Sequence, residues 1–320
     1  MLSGCDEMPI TSRRELPPVV YKLLILSAAL FWGGSFVVLK DAINAVTPSW
    51  LLAIRFSLAA LVLGFICRKR IAQNFDRSHL FVGGVTGLLN GLGYLVQNIG
   101  LLGTTPGRNA FITAIYCVMT PFFYWAFAKK RPAIHNVVAA VLCVTGLGFL
   151  SLGDDLSLSL SWGDILTLVS AGFFAAEIAS YACLAKDEDP ITLTVVQFCV
   201  YAIVCAIGGL LTEPLPPASA FTQDFWLQMA YLVIASSCLA SVAQNIGQKH
   251  VPAAEAALFL SFESVFGVLF SVLFGYEALT LTLFVGFAFI FVSMLITELM
   301  PSPEARAVEA ELAAGGKPEL

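Results

Sequence analysis

Apolar stretches, each about as long as a membrane-crossing helix, recur along the sequence and constrain its fold more than any other feature. The hydrocarbon core of a bilayer is about 30 Å thick, so a helix that crosses it needs about 20 mainly apolar residues. Ten such stretches lie between polar breaks, at approximately 19–39, 49–67, 80–102, 107–128, 134–152, 163–185, 191–212, 225–247, 253–275 and 279–299. The sequence therefore predicts an all-α membrane protein with ten transmembrane helices.

The composition excludes an ordinary soluble protein. Hydrophobic residues make up 58% of the chain and charged residues 12%, whereas soluble domains average about 25% charged residues. The net charge of −5 provides no basic excess for a nucleic acid partner. No nucleotide-binding motif surrounds Gly91 and Gly93, no C-x-x-C pair occurs, and no hydrolase motif is present. We therefore expect no cofactor, no metal site and no enzymatic activity.

Basic residues gather on alternate connections between the apolar stretches. Cytoplasmic loops of membrane proteins carry an excess of Lys and Arg. A cytoplasmic N-terminus places 14 of the 17 basic residues on the cytoplasmic side. We therefore predict that residues 1–18 and the tail 300–320 are both cytoplasmic. The first apolar stretch is too long for a signal peptide and is expected to be retained.

The tetrapeptide QNIG occurs twice and indicates an internal repeat. It closes the third stretch at 97–100 and the eighth at 244–247, and the alignment continues without gaps through QNIGLLGTTPGRNAF and QNIGQKHVPAAEAAL. The predicted repeats are 19–152 and 163–299, with five helices each. Because five is odd, the second copy enters the membrane from the opposite side, so the repeats are inverted. Alternating-access carriers with this architecture bind cargo near the bilayer midplane.

Several segments resemble the EamA branch of the drug/metabolite transporter superfamily. They are FWGGSFVVLK in the first stretch, the Arg55–Phe56 pair, AFITAIYCVMTP at 110–121, WGDILTL at 162–168 and LFLSFESVFGVLFSVLFGYEALT at 258–280. The resemblance covers essentially all ten stretches. It implies a carrier in the cytoplasmic membrane with a central cavity and small organic cargo, often exported.

One motif departs from the pattern of that family. The typical Glu-Pro of the ninth helix is Glu263–Ser264 here, whereas Pro121 follows Thr120 at the equivalent position of the first half. We therefore assign Pro121 a structural role. The second half lacks the proline that would kink its helix.

Two acidic residues are predicted to lie near the middle of the membrane. At 1.5 Å per residue, Glu263 lies roughly 16 Å into the ninth helix from Pro252, and Glu177 roughly 20 Å into the sixth from Asp164. A charge at this depth normally faces a cavity or a partner. Glu263 suits either helix contacts or the transport cycle. Glu177 matches no family pattern, which favours binding of cargo or a proton.

Arg55 lies about a turn and a half into the second stretch. Its long side chain is expected either to snorkel to the outer interface or to pair with an acid. The Arg–Phe pair matches the family broadly, which favours a structural role over a specific one.

Neutral polar residues form a stripe on one face of the third helix and another on the eighth. The first comprises Asn90, Tyr94 and Gln97 or Asn98, and the second Ser237, Ser241, Gln244 or Asn245, and Gln248. Since lipid offers no hydrogen bonds, both stripes must face the bundle, where they line a cavity or bond helix to helix. Their duplication favours a cavity. Trp32 and Tyr116 are further candidates, although ordinary packing is the simpler interpretation of both.

The leading hypothesis is a secondary active transporter that moves a small metabolite by alternating access. An amino acid, amine or drug-like compound is favoured over a phosphorylated cargo, because both predicted mid-membrane charges are acids. The alternatives from other classes are a membrane-embedded enzyme and a channel or sensor. Cargo identity, direction, proton coupling and oligomeric state stay open.

Overall fold

The computed structural model describes residues 17–150 and 160–300, except residues 130, 277 and 279. All regular structure in this part of the chain is helical. The helices are α1 (Pro18–Ala42), α2 (Pro48–Ile66), α3 (Arg68–Asn74), α4 (Arg77–Leu102), α5 (Pro106–Thr113), α6 (Tyr116–Ala128), α7 (Ile134–Leu150), α8 (Trp162–Leu184), α9 (Pro190–Thr212), α10 (Gln223–Val233), α11 (Ala240–Gln248), α12 (Ala253–Ser261), α13 (Glu263–Leu273) and α14 (Leu281–Leu299). A 3-10 turn, Ala218–Ala220, precedes α10, and a π-helical segment, Ile234–Leu239, joins α10 to α11.

Among the described residues, seven helical stretches are long and apolar enough to cross a membrane. They are Pro18–Ala42, Pro48–Ile66, Arg77–Leu102, Pro106–Ala128, Trp162–Leu184, Pro190–Thr212 and Gln223–Gln248. Three shorter apolar stretches, Ile134–Gly146, Phe259–Leu273 and Phe284–Ser293, lie within the remaining predicted spans. The chain is thus a multi-pass membrane protein, as its composition predicts.

Local sequence signals account for where several helices begin. Four helices carry a proline in the first turn, where its missing N–H removes no hydrogen bond: α1, α2, α5 and α9. Ser161 accepts the backbone N–H of Asp164, and the Asp164 side chain accepts the N–H of Ser161, which forms a capping box on α8. Asp76 caps α4 by accepting the N–H of His79.

The fourth and ninth predicted spans are each interrupted. The first interruption, at Ala114 and Ile115, separates α5 from α6, and the second, at Phe262, separates α12 from α13. Pro121 lies buried inside α6, past the interruption. The second half is interrupted although Ser264 stands where the family has proline, so a proline does not fix the position of the break.

Close helix contacts hold the bundle together. α4 packs along α8 and α9, α1 packs against α11, α12 and α13, and α7 packs against α14. Glycine permits the closest of these approaches: a Cβ atom on Gly163 of α8 would lie 2.4 Å from the carbonyl oxygen of Gly100 on α4. Small residues of this kind are typical of contacting helices in membranes.

Candidate functional site

A small cavity lies where the two halves of the chain meet. It is lined by residues of α1, α2, α4, α6, α8, α11, α12 and α13: Trp32, Ser35, Phe36, Leu39, Arg55, Asn90, Tyr94, Gln97, Tyr116, Phe174, Glu177, Ile178, Gln244, Leu260 and Glu263. Its volume is about 40 Å³, which is room for two or three water molecules. Metabolite pockets measure roughly 300–1,000 Å³. The cavity in this structure is therefore much smaller than a typical metabolite pocket.

The structure brings together most of the candidates singled out from the sequence. Those that line the cavity are Glu177, Glu263, Asn90, Tyr94, Gln97, Gln244, Trp32 and Tyr116. Asn245 does not line it. Its amide donates to Thr194 Oγ1 at 2.8 Å and to Gln197 Oε1 at 2.7 Å, and so bonds α11 to α9.

Both predicted acids are buried in the cavity wall. Glu177 is 1% exposed and Glu263 is 5% exposed. The hydroxyl of Tyr116 lies beside the Glu263 carboxyl, and Gln197 lies beside Glu177. Neither acid forms an ion pair within the described part of the chain, and Glu177 Oε1 has no hydrogen-bond partner there. An unpaired buried carboxylate is costly, which favours uptake of a proton or a cationic group.

Arg55 departs from its expected position. Its side chain is buried, with 1% of its surface exposed, so the expectation that it snorkels to the interface is wrong. It pairs with no acid among the described residues either. Its Nε donates to Ser237 Oγ at 2.8 Å, and its Nη2 donates to the Ser236 hydroxyl at 2.9 Å and to the Ser236 carbonyl at 3.2 Å. Nη1 is buried without a hydrogen-bond partner in the described structure.

The sequence alone indicates how far Arg55 lies from the membrane surface. Seven residues separate it from Pro48, which corresponds to about 10 Å along a helix, or a third of the hydrocarbon thickness. The same measure applied to Glu177 and Glu263 predicts that those residues lie near the middle of the membrane.

The π-helical segment supplies the acceptor that holds Arg55. In a regular helix the N–H of Ala240 would bond the carbonyl of Ser236, but here it bonds the carbonyl of Ala235. The released Ser236 carbonyl accepts the indole N–H of Trp32 at 2.7 Å as well as Arg55 Nη2. One backbone group thus joins α1 and α2 to the eighth span.

Aromatic rings surround the guanidinium. Its central carbon lies 5.0 Å from the ring centroid of Phe56 and 5.8 Å from that of Tyr94. The Tyr94 ring in turn contacts Phe174 edge to face, with centroids 5.4 Å apart. Cation–π attraction stabilises a buried arginine but leaves its hydrogen-bonding capacity unused.

The second half contains a counterpart of Arg55 that the sequence analysis missed. Arg55 and Phe56 follow Pro48 by seven and eight residues, and Gln197 and Phe198 follow Pro190 by the same intervals. The helices that carry them, α2 and α9, pack against each other.

A second group of titratable residues lies away from the cavity. His79 Nδ1 is 2.9 Å from Asp76 Oδ1 and 2.8 Å from Glu188 Oε2, while Nε2 accepts the backbone N–H of Asp189 at 2.9 Å. Arg70 pairs with Asp189 at 2.8 Å. Burial alone would raise the pKa of Asp189, but the Arg70 hydrogen bonds hold it below its ordinary value. Both ring nitrogens of His79 are thus occupied by contacts within the protein. The contacts of His79 join α4 to the α8–α9 connection, and the Arg70–Asp189 pair joins α3 to it.

Comparisons with known proteins agree with this fold. The model of the EamA-like transporter family matches residues 20–152 and again 161–299. An uncharacterized transporter of Archaeoglobus fulgidus is 30% identical over 274 residues, which cover 85% of this chain and 83% of that protein. The uncharacterized transporter YwfM of Bacillus subtilis is 24% identical, with 92% and 98% of the two chains covered. One solved crystal structure shares the fold, with a TM-score of 0.64 at 19% identity over 90% of this chain and 98% of the other.

Proposed function

The chain belongs to the EamA-like transporter family, and from this premise we propose that it is a secondary active transporter that carries a small organic metabolite by alternating access. The observation that carries the proposal is the cavity at the junction of the two halves, with two buried carboxylates in its wall and no described basic partner for either. An amino acid or amine is the proposed cargo, and export is the direction that the family resemblance favours.

The proposed architecture is ten transmembrane helices in two inverted repeats, 19–152 and 163–299. A twofold axis in the membrane plane would make each contact between the halves recur with the halves exchanged. The packing supports this: α4 against α8 recurs as α11 against α1, and α6 against α8 recurs as α12 and α13 against α1. The pairs α2–α9 and α7–α14 would lie on the axis. The twofold match to the family model agrees with it.

The proposed location is the cytoplasmic membrane, with both termini in the cytoplasm. The distribution of basic residues supports this orientation. A reporter fused after Leu320 and a cysteine introduced at 154–160 should be labelled from opposite sides of the membrane. Labelling of both from one side would contradict the topology.

In the proposed cycle the cavity opens to one side of the membrane at a time. Its volume in this structure, about 40 Å³, is too small for a metabolite, so the cycle requires the surrounding helices to move apart. Glu177 and Glu263 bind a proton or the cationic group of the cargo, because each is buried without a basic partner among the described residues. Exchange of one cation for another at these acids would couple cargo movement to a proton gradient.

Counterflow in proteoliposomes tests the proposal directly. Unlabelled amino acid or amine inside the vesicles should accelerate uptake of the labelled compound, which a carrier does and a channel or enzyme does not. Loss of a hydrogen bond to a charged group costs about 1.5–3 kcal/mol, so Glu263→Gln should slow counterflow by roughly 10- to 100-fold.

A matched control separates this effect from damage to the fold. Glu213 lies outside the cavity and accepts the Ser49 hydroxyl at 2.7 Å, so Glu213→Gln should leave counterflow near the wild-type rate. Near wild-type counterflow of Glu263→Gln at every pH would remove Glu263 from the mechanism.

A further inference from the structure

We infer that Arg55 binds a carboxylate group of the cargo, so that the cargo is a zwitterion such as an α-amino acid rather than a simple amine. This inference rests on the proposed transport function and narrows its substrate class. It also assigns Arg55 a role in specificity, where the sequence favoured a structural one.

Arg55 has hydrogen-bonding capacity that the described protein does not use. The side chain lines the cavity and is almost completely buried, yet Nη1 has no partner in the described structure. The other contacts of the guanidinium all go to the hydroxyl and carbonyl groups of Ser236 and Ser237. A buried cation without an anion is strongly unfavourable, so an anion is expected at this position during the working cycle.

The described chain supplies no such anion. Neither Glu177 nor Glu263 lies within ion-pair distance of Arg55. The side chains that bond or face the guanidinium are those of Ser236, Ser237, Phe56 and Tyr94. All four are neutral at physiological pH, so we expect the anion to enter with the cargo.

The described cavity wall carries one basic and two acidic side chains that are not paired with each other. Arg55, Glu177 and Glu263 line the same cavity, but neither glutamate lies within ion-pair distance of the arginine. A zwitterion matches both kinds of charge, with its carboxylate on Arg55 and its ammonium group facing the glutamates. The apolar wall formed by Leu39 and Ile178 suits the remainder of such a molecule.

Other classes of cargo match the cavity less well. A simple amine would leave the Arg55 guanidinium without an anion. A phosphorylated compound would bring two negative charges to a cavity with one arginine and two acids. The guanidinium is already fixed by Ser236, Ser237 and the Phe56 ring, and the two N–H groups of Nη1, which have no partner in the described structure, can donate to a carboxylate.

The experiment measures binding to the purified full-length protein by thermal shift and by competition in counterflow. The probes are the twenty proteinogenic L-amino acids and, for each one that binds, its decarboxylated amine and its primary amide. We expect the amine and the amide to bind about 30-fold more weakly or worse, because each leaves a buried charge unpaired. This comparison uses the wild-type protein and does not depend on any variant folding.

Variants of Arg55 then test whether this residue causes the preference for the amino acid over its amine and its amide. Arg55→Gln should lower the affinity for the amino acid by about 30-fold or more and remove the preference for acid over amide. Arg55→Lys keeps the charge but not the planar geometry, and should recover part of the preference. Arg70→Gln, which removes an arginine outside the cavity, should change neither.

The outcomes distinguish this inference from the proposed function. Equal binding of an amino acid and its amine, or an unchanged preference in Arg55→Gln, would overturn the inference. Counterflow of amines without any amino acid binding would overturn it too, while the transport function stands. Arg55-dependent amino acid binding without counterflow of any compound would support the carboxylate site and contradict the transport function.

Discussion

Helices α2 and α9 pack against each other and carry a polar side chain at the same interval from their first proline, but the two side chains are satisfied differently. Gln197 of α9 donates to Thr86 Oγ1 at 3.0 Å and accepts from Asn245 Nδ2 at 2.7 Å. Arg55 of α2 retains an unpaired donor among the described residues. The neutral member both donates and accepts within the protein, whereas the charged member keeps one nitrogen, Nη1, without a described partner.

The difference separates two roles that a buried polar side chain can have in this bundle, stabilising the fold and binding a ligand. A buried amide whose hydrogen bonds are satisfied connects helices and contributes to stability. A buried charge with a free donor contributes little to stability and is better explained by a ligand. If this contrast is correct, changes to Arg55 should affect transport and changes to Gln197 should affect stability.

The largest expected effect is on transport by Arg55→Gln. This change gives α2 the residue that α9 carries at the equivalent position. We expect counterflow of an amino acid to fall about 30-fold or more, with little loss of thermal stability because an unpaired buried charge is removed. Counterflow and the melting temperature, measured on the same preparation, check both parts. A large fall in melting temperature with unchanged counterflow per folded molecule would show that Arg55 stabilises the fold and does not bind cargo.

Gln197→Leu should produce the opposite pattern. The substitution leaves one amide N–H of Asn245 without its acceptor, and an unsatisfied buried group costs about 1–3 kcal/mol. The melting temperature should therefore fall, while amino acid binding changes much less than in Arg55→Gln. Thermal unfolding and ligand titration measure the two effects. Asn44, an exposed residue, provides a control: Asn44→Ala should leave both near wild type.

The smallest expected effect concerns the ion pair between Arg70, on the short helix α3 that follows α2, and Asp189, which immediately precedes α9. Arg70 is 45% exposed, so the pair should contribute less than about 1 kcal/mol. The pKa of Asp189 lies below its ordinary value, so the contribution is present above the unfolded-state pKa and is lost as pH falls through the folded-state pKa. The melting temperature difference between wild type and Asp189→Asn should accordingly shrink in acid. If this melting temperature difference grew in acid, the predicted direction of the pH dependence would be wrong.

The sequence predicted the helical membrane fold because the bilayer requires long apolar segments. It also predicted which helix faces carry polar residues, and thus Asn90 and Gln244. It could not separate Gln244 from Asn245, because adjacent residues point about 100° apart on a helix and the position of α9 decides which of them is bonded. The partners of Arg55 lie more than 180 residues away in the chain, and one of them is a backbone carbonyl, which no side-chain pattern reports.

The π-helical segment makes the length of one turn as important as any side chain near the cavity. A π turn contains one more residue than an α turn, so deleting one residue from 234–239 would restore a continuous α-helix. The Ser236 carbonyl, which now accepts hydrogen bonds from Trp32 and Arg55, would then accept one within its own helix. The guanidinium would lose its backbone support although every charged residue in the bundle had been kept. The position of the Arg55 guanidinium therefore depends on the number of residues in the segment 234–239.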